Sequence, residues 1–192
     1  GGNVSPIPAD HSQNLTGIWP KKVVNYKTVM SDAASGFTSV TYPFPVIRMA
    51  DLYLMYAEAL NEKGEDYATV LPWIDMVRER SGLQGVKESW DQYVGNSKYA
   101  TQTGLRQIIM QERRIELAFE GHYFWDVRRW KTATTELTQP LTGWKVRYGE
   151  TDVDYYSENL VLVRDFTPKM YFWPIDIGEL RKDPNLVQNY GW

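Results

Sequence analysis

Apolar residues recur at three- and four-residue spacing in four stretches, and elsewhere the chain alternates or loses period. From Ile47 to about Glu62, "IRMADLYLMYAEALNEKG", Leu52, Met55, Tyr56 and Ala59 fall at helical spacing, and Gly64 is a natural stop. Met49, Tyr53, Leu54 and Leu60 occupy the remaining sides, so this helix is expected to pack on more than one side, with Asp51, Glu58 and Glu62 as its polar stripe. A second helix is predicted over Tyr67–Arg80, with Val70, Ile74 and Val77 on one face, Trp73 beside them and Gly82 as its end. Pro72 is expected in its first turn or at a kink. A third helix is predicted from Thr103 to Phe119 and a short fourth from Tyr123 to Trp130, after a turn at Gly121.

The rest has no helical period. Residues 1–45 read as a loop-rich lead-in, with one short strand in "KKVVNYKTV". Residues 84–101 are polar, contain Gly, and read as a loop. Residues 132–192 read as an extended tail with strand candidates "WKVRY", "LVLVR" and "YFWPI". Helix, turn, helix, loop, helix, turn, helix is the grammar of α-hairpin repeats. The two pairs start farther apart than the roughly 34 residues of a tetratricopeptide repeat, so the 84–101 stretch reads as an insertion between hairpins. The expected fold is mainly α: tetratricopeptide-like hairpins with irregular loops and a few short strands, in a single domain over 1–192.

The third helix carries the most informative chemistry. At about 100° per residue, Leu105, Ile108, Ile109, Ile115 and Phe119 share a face; Glu112 and Glu116 lie within it and Glu120 at its edge. A carboxylate pointed into an apolar face is costly unless paired. Arg48 and Arg78 on the preceding hairpin, and Arg128 and Arg129 after the turn, are the expected partners, since a guanidinium grips a carboxylate with two parallel bonds. The alternative is a glycoside-hydrolase pair made by Glu112 and Glu116, because carboxyl groups one helical turn apart approach the separation of about 5–9.5 Å that this chemistry uses. Acids set within an apolar face favour the structural ion network, and no catalytic residue is assigned.

Composition narrows the classes. The 192 residues are 43% hydrophobic and 23% charged with net charge −3, and no basic block makes a case for nucleic acid. No apolar run approaches the roughly 20 residues of a membrane-spanning helix. There is no cysteine, hence no disulfide framework or thiol chemistry. His11 and His122 are too isolated for a zinc site, and HExxH, GxSxG, P-loop and GxGxxG patterns are absent. Asp152 and Asp154 in "TDVDYYSEN" alternate as calcium ligands can, without EF-hand spacing, and a solvated loop is preferred. No cofactor is expected. The 8 Trp and 13 Tyr stand out, and most are expected to pack against helices.

Four blocks resemble one family. "VIRMADLYLMYAEALNEKG", "IDMVRERSGL", "IIMQERRIELAFEGHYFWDVRRWK" and "YFWPIDIGELRKDPNLVQNYGW" follow in order the patterns of the C-terminal part of the SusD/RagB family of outer-membrane nutrient-binding lipoproteins. Asp75 replaces the usual Asn, Ser81 the Ala and Tyr123 the Arg, while Asp176 and Tyr190 stand where Pro is common. The resemblance implies a non-catalytic protein on the extracellular face of the outer membrane. Such proteins lid a SusC-like TonB-dependent transporter and capture oligosaccharides or polysaccharides, or peptides in some branches; a scaffold or transporter-docking role is the alternative.

It further implies that the chain, which opens on Gly-Gly, is the C-terminal portion of a longer protein. The N-terminal half would bear the lipid-anchoring cysteine, and helix faces that meet that half would be exposed here. Family ligand residues carry no transferable motif. Loop aromatics are the natural sugar platforms: Trp90, Tyr93 and Tyr99, with Asp91, Gln92 and Asn96 nearby, and Trp144 and Tyr148 beside Arg147.

Overall fold

The computed structural model describes residues 16, 18, 20–30, 37–145 and 150–192. The chain forms two compact units: residues 21–124, and residues 125–192 together with the stretch before Lys21.

The first unit is built on helices. Strands β1 (Val29–Met30) and β2 (Phe37–Thr38) pair antiparallel, so "KKVVNYKTV" is mostly turn and contributes a strand only at its end. Helix α1 (Met49–Lys63) starts two residues later than its apolar pattern, because Arg48 is extended (φ −125°, ψ 144°). It ends where Gly64 turns left-handed at φ 87°; Gly64 N–H bonds to Asn61 O and Glu65 N–H to Leu60 O, which satisfies the last carbonyls. Helix α2 (Tyr67–Arg80) is capped by Asp66, whose carboxylate accepts from Ala68 N at 2.8 Å. Pro72 sits in its second turn rather than its first, where it removes one intrahelical donor.

The 84–101 stretch is structured. Helix α3 (Val86–Ser89) runs on into a wide π turn, Trp90–Val94, closed by Gly95 N–H to Trp90 O at 2.9 Å, and a 3₁₀ turn spans Lys98–Ala100. The widened turn breaks the 3.6-residue period, which is why a periodicity reading returns a loop. Thr101 then caps helix α4 (Gln102–Glu116), its hydroxyl accepting from Gly104 N at 3.1 Å. Gly104 is required by close approach: a Cβ there would lie 2.1 Å from the Lys98 carbonyl oxygen. Helix α4 stops at Glu116, and Phe119 (φ 65°) and Gly121 (φ 84°) turn the chain. Ile115 and Phe119 are therefore exposed rather than part of the buried face, since Phe119 has left the helical wheel. Helix α5 (His122–Arg129) follows and passes from the first unit into the second.

The core lies among three helices and the insertion. Leu54 and Ala57 of α1, Val70 and Ile74 of α2, and Leu105, Ile108 and Ile109 of α4 pack with Val86 and Tyr99. Each fully buried Leu, Ile or Val contributes about 1.5–3 kcal/mol. Buried Asn61 is satisfied by a reciprocal clip: its amide donates to Gln102 O at 3.1 Å, and Gln102 Nε2 donates to Asn61 O at 2.7 Å. Met49, Leu52, Met55 and Tyr56 stay exposed as a second apolar stripe on α1.

In the second unit, α6 (Ala133–Glu136) leads to a hairpin-like pair. Strand β3 (Leu141–Trp144) pairs antiparallel with β4 (Glu158–Leu162), which overlaps the predicted "LVLVR" strand at residues 160–162. Gly143 is needed because the backbone of Thr16 crosses it; a Cβ would fall 2.6 Å from Thr16 Cα, and Trp144 N bonds to Thr16 O. "TDVDYYSEN" forms a short helix α7 (Asp152–Tyr155) capped by Thr151, not a plain loop. "YFWPI" is not a strand: a 3₁₀ turn over Pro168–Tyr171 runs into its first residue, and Pro174 within it offers no ladder donor. Helix α8 (Ile177–Lys182), capped by Asp176, precedes the last residues. The architecture is mainly α, with helical hairpins and two small two-stranded sheets among the described residues.

Candidate functional site

The three glutamates of the α4 block each meet an arginine. Arg48 grips Glu120 with a fork, Nε to Oε2 at 2.8 Å and Nη2 to Oε1 at 2.7 Å, and its Nη1 reaches Glu116 Oε1 at 2.8 Å. Arg80 Nη2 donates to both Glu116 oxygens at 2.8 Å, and Lys22 Nζ sits 2.5 Å from Glu120 Oε1. Arg78 pairs with Glu112, which is 8% exposed, and also donates to Gln84 O at 2.8 Å and Ser89 Oγ at 3.0 Å. Arg113, buried on the same helix, pairs with Asp51 at 2.8 Å.

The partners described for Arg129 and Arg128 are Asp126 (2.8 Å) and the Met170 carbonyl (2.5 Å), respectively. Arg80, Lys22 and Arg113 are members that the sequence reading missed. Arg113 carried one signal, since it falls four residues after Ile109, at the edge of the apolar face of α4.

Electrostatics follow the burial. Burial pushes the Glu112 carboxyl above its ordinary value, and the Arg78 charge and hydrogen bond only partly offset this. Burial acts the same way on Glu120, but hydrogen bonds from Arg48 and Lys22 outweigh it and hold Glu120 below its ordinary value. The hydrogen bond to Glu120 makes Arg48 hold its proton more tightly still. These carboxylates therefore face guanidinium groups across the α1–α2–α4 junction.

The loop aromatics divide. Tyr93 is 72% exposed on the π turn. Trp90, at the start of that turn, is half-buried and packs against the core. Tyr99 corrects the expectation of a platform: it is 5% exposed, its ring meets the edge of Tyr67 at 5.4 Å, and its hydroxyl donates to Asp91 at 2.8 Å. The insertion folds back on α4 and takes Tyr99 into the core. Asp91 also pairs with Lys87 at 2.5 Å, and Asn96 accepts from Lys98 N at 3.1 Å, so both serve the loop itself.

Trp144, in the second unit, is exposed and meets Tyr156 edge-on at 5.8 Å. Tyr148 and Arg147 lie outside the described residues. Asp154 is engaged by Lys145 at 2.8 Å, and among the described residues no group of three His, Cys, Asp or Glu could hold a metal ion.

A helical-hairpin frame pinned by an arginine–carboxylate lattice defines a mainly α, hairpin-built class of fold. Residues 2–192 match the family model described as the SusD family, and the chain belongs to that family. Two SusD-like proteins of Formosa agariphila are 39% and 28% identical over 144 residues, which is 75% of this chain in each case. That stretch is 23% and 24% of their lengths, so the chain spans about a quarter of the curated relatives it matches. The crystal structure of a SusD-like protein from Bacteroides fragilis is 30% identical, with a TM-score of 0.61, covering 74% of this chain and 25% of that one.

Proposed function

We propose that this chain is part of a non-catalytic glycan-capture protein of the outer cell surface, which hands oligosaccharides to a SusC-like TonB-dependent transporter. The SusD family match over residues 2–192 carries the reading. Two features support it. Tyr93 offers an open aromatic face on a closed turn anchored by Trp90. Glu112 and Glu116 are engaged by Arg78, Arg48 and Arg80, which disfavours hydrolysis. Membrane attachment belongs in this reading to an N-terminal lipid anchor; no described helix is long and apolar enough to cross a membrane.

A second reading, a scaffold that docks on the transporter, is favoured by the exposed Met49, Leu52, Met55 and Tyr56 stripe of α1. Affinity electrophoresis against a panel of polysaccharides separates the two. The capture reading expects retardation by at least one polysaccharide and weaker retardation for Tyr93→Ala. No retardation by any member of the panel would favour the scaffold. Release of reducing sugar, lost in Glu112→Gln and Glu116→Gln, would instead restore the hydrolase.

A further inference from the structure

The second unit ends in exposed aromatic residues, two of them in the predicted strand "YFWPI". Trp173 is 67% exposed and Phe172 54%, and Trp192, the last residue, is 46% exposed. Isolated exposed aromatics are ordinary, whereas a contiguous rigid group of them marks a binding surface. We infer that residues 172–192 form a carbohydrate-stacking platform, with Trp173 and Trp192 as the stacking rings. The inference rests on the glycan-capture reading and adds to it a site apart from the Trp90–Tyr93 turn.

Rigidity is built by side-chain amides. Gln188 clamps the backbone of Ile175 from both sides, accepting from its N–H at 2.8 Å and donating to its carbonyl at 2.9 Å. Asn189 Nδ2 donates to the carbonyl of Trp173 at 2.7 Å. Trp192 is oriented by its own ring N–H, shared between the carbonyls of Lys169 (3.0 Å) and Phe172 (3.1 Å). The Trp192 indole and the Trp173 backbone are thus both tied to the Phe172–Trp173 stretch. Gly191, at φ 80°, lets the chain come this close: a Cβ there would fall 2.8 Å from Lys169 Cβ.

Cations complete the frame. Lys169 Nζ lies 4.4 Å from the Trp192 ring centroid, and the Arg128 guanidinium 5.8 Å from that of Trp173.

The chemistry fits a pyranose chain. A sugar ring has an apolar C–H face that needs a flat aromatic partner and a hydroxyl edge that needs polar neighbours. Here the rings are held before any ligand arrives, so little ordering cost falls on binding. The Trp192 N–H is already used by the backbone and Lys169 covers one face of its ring, which leaves the opposite face as the contact. Lys169, over the Trp192 ring, is the polar partner at hand for hydroxyl groups.

The test is calorimetry of the protein with laminarin, soluble starch and polygalacturonate, on the wild type, Trp173→Ala, Trp192→Phe and Tyr93→Ala. Hydroxyl-radical footprinting of the unmutated protein with the same polysaccharides runs beside it. The expected result is binding of at least one polysaccharide that weakens at least tenfold in Trp173→Ala, with Trp173 and Trp192 protected from oxidation at least threefold. Binding that Trp173→Ala leaves unchanged, with Trp173 unprotected, overturns the platform and leaves the capture reading standing. Silence toward all three overturns both. Protection that grows with protein concentration alone overturns the platform in favour of self-association. Footprinting keeps the test decisive if a variant fails to fold.

Discussion

Replacing Arg78 by Ala is the sharpest test of the lattice. Arg78 and Glu112 side chains are each only 11% exposed, and the arginine also holds Gln84 O and Ser89 Oγ. The substitution leaves a carboxylate inside the α2–α4 contact with no partner and frees the start of the insertion. Breaking a buried pair in this way costs about 3–5 kcal/mol. Removing both charges in Arg78→Met/Glu112→Leu avoids the orphaned carboxylate and loses mainly the two neutral contacts, about 1 kcal/mol each. The double variant should therefore be more stable than the single one by about 1–3 kcal/mol.

Acidity adds a second readout. Burial raises the folded-state value of Glu112 above its ordinary 4.5, so the folded state binds more protons than the unfolded one. Such a group weakens the fold as pH rises through the interval between the two values. Without Arg78 that interval widens, and acidification from neutral toward 4.5 should restore part of the lost stability. Urea unfolding followed by far-UV circular dichroism, at several pH values, measures both effects. A loss under about 1 kcal/mol, with no recovery on acidification, would show a solvated pair and refute the argument.

Further expectations follow from single contacts. Arg48→Lys keeps the charge but loses the fork on Glu120, and should cost about 1–2 kcal/mol in urea unfolding. Glu120, held below its ordinary value, contributes stability that is present above 4.5 and is lost as pH falls through its lower folded-state value; Glu120→Gln should flatten that part of the acid-unfolding curve. Gly104→Ala places a Cβ against the Lys98 carbonyl and should lower stability by about 1–3 kcal/mol, read as a lower melting temperature. Asp75, pushed upward by burial while it accepts from Val86 N at 2.7 Å, should tolerate Asn; Asp75→Asn is expected to stabilise by up to about 1 kcal/mol at neutral pH.

Helices α1, α2, α4 and α5 were legible because each shows its face at helical spacing, and α1 and α2 also end within two residues of a glycine. Gly64 is the clearest stop. The insertion was not legible: a π turn breaks the period, and its polar composition hides the burial of Tyr99. The end of α4 was overrun because Phe119 carries an apolar side chain on a left-handed backbone, which periodicity alone cannot distinguish from another helical position. Arg48 and Arg78 were legible as partners by charge and position. Lys22 was not, since its contact spans nearly a hundred residues and depends on how the lead-in lies along α4. "YFWPI" misled in the other direction: its composition favours a strand, but its backbone groups are taken by the Gln188 and Asn189 side chains.

Under the capture reading proposed above, those last contacts connect the frame to that function. A capture protein has to keep its aromatic faces in water while the chain beneath them stays fixed, and exposed aromatics contribute little to their own anchoring. The structure solves this with polar bonds placed under the rings. Trp90 packs into the core while Tyr93, on the same closed turn, remains open. Gln188 and Asn189 fasten the backbone that carries Trp173. Substituting the polar anchor should therefore damage binding without removing any stacking ring. Gln188→Ala tests this directly: it keeps both indoles, frees Ile175 N and O, and should weaken polysaccharide binding while leaving the α1–α2–α4 core, in the other unit, at its wild-type stability. Unchanged affinity in Gln188→Ala would mean that the rings do not depend on a fixed backbone, and preorganisation would no longer explain the platform.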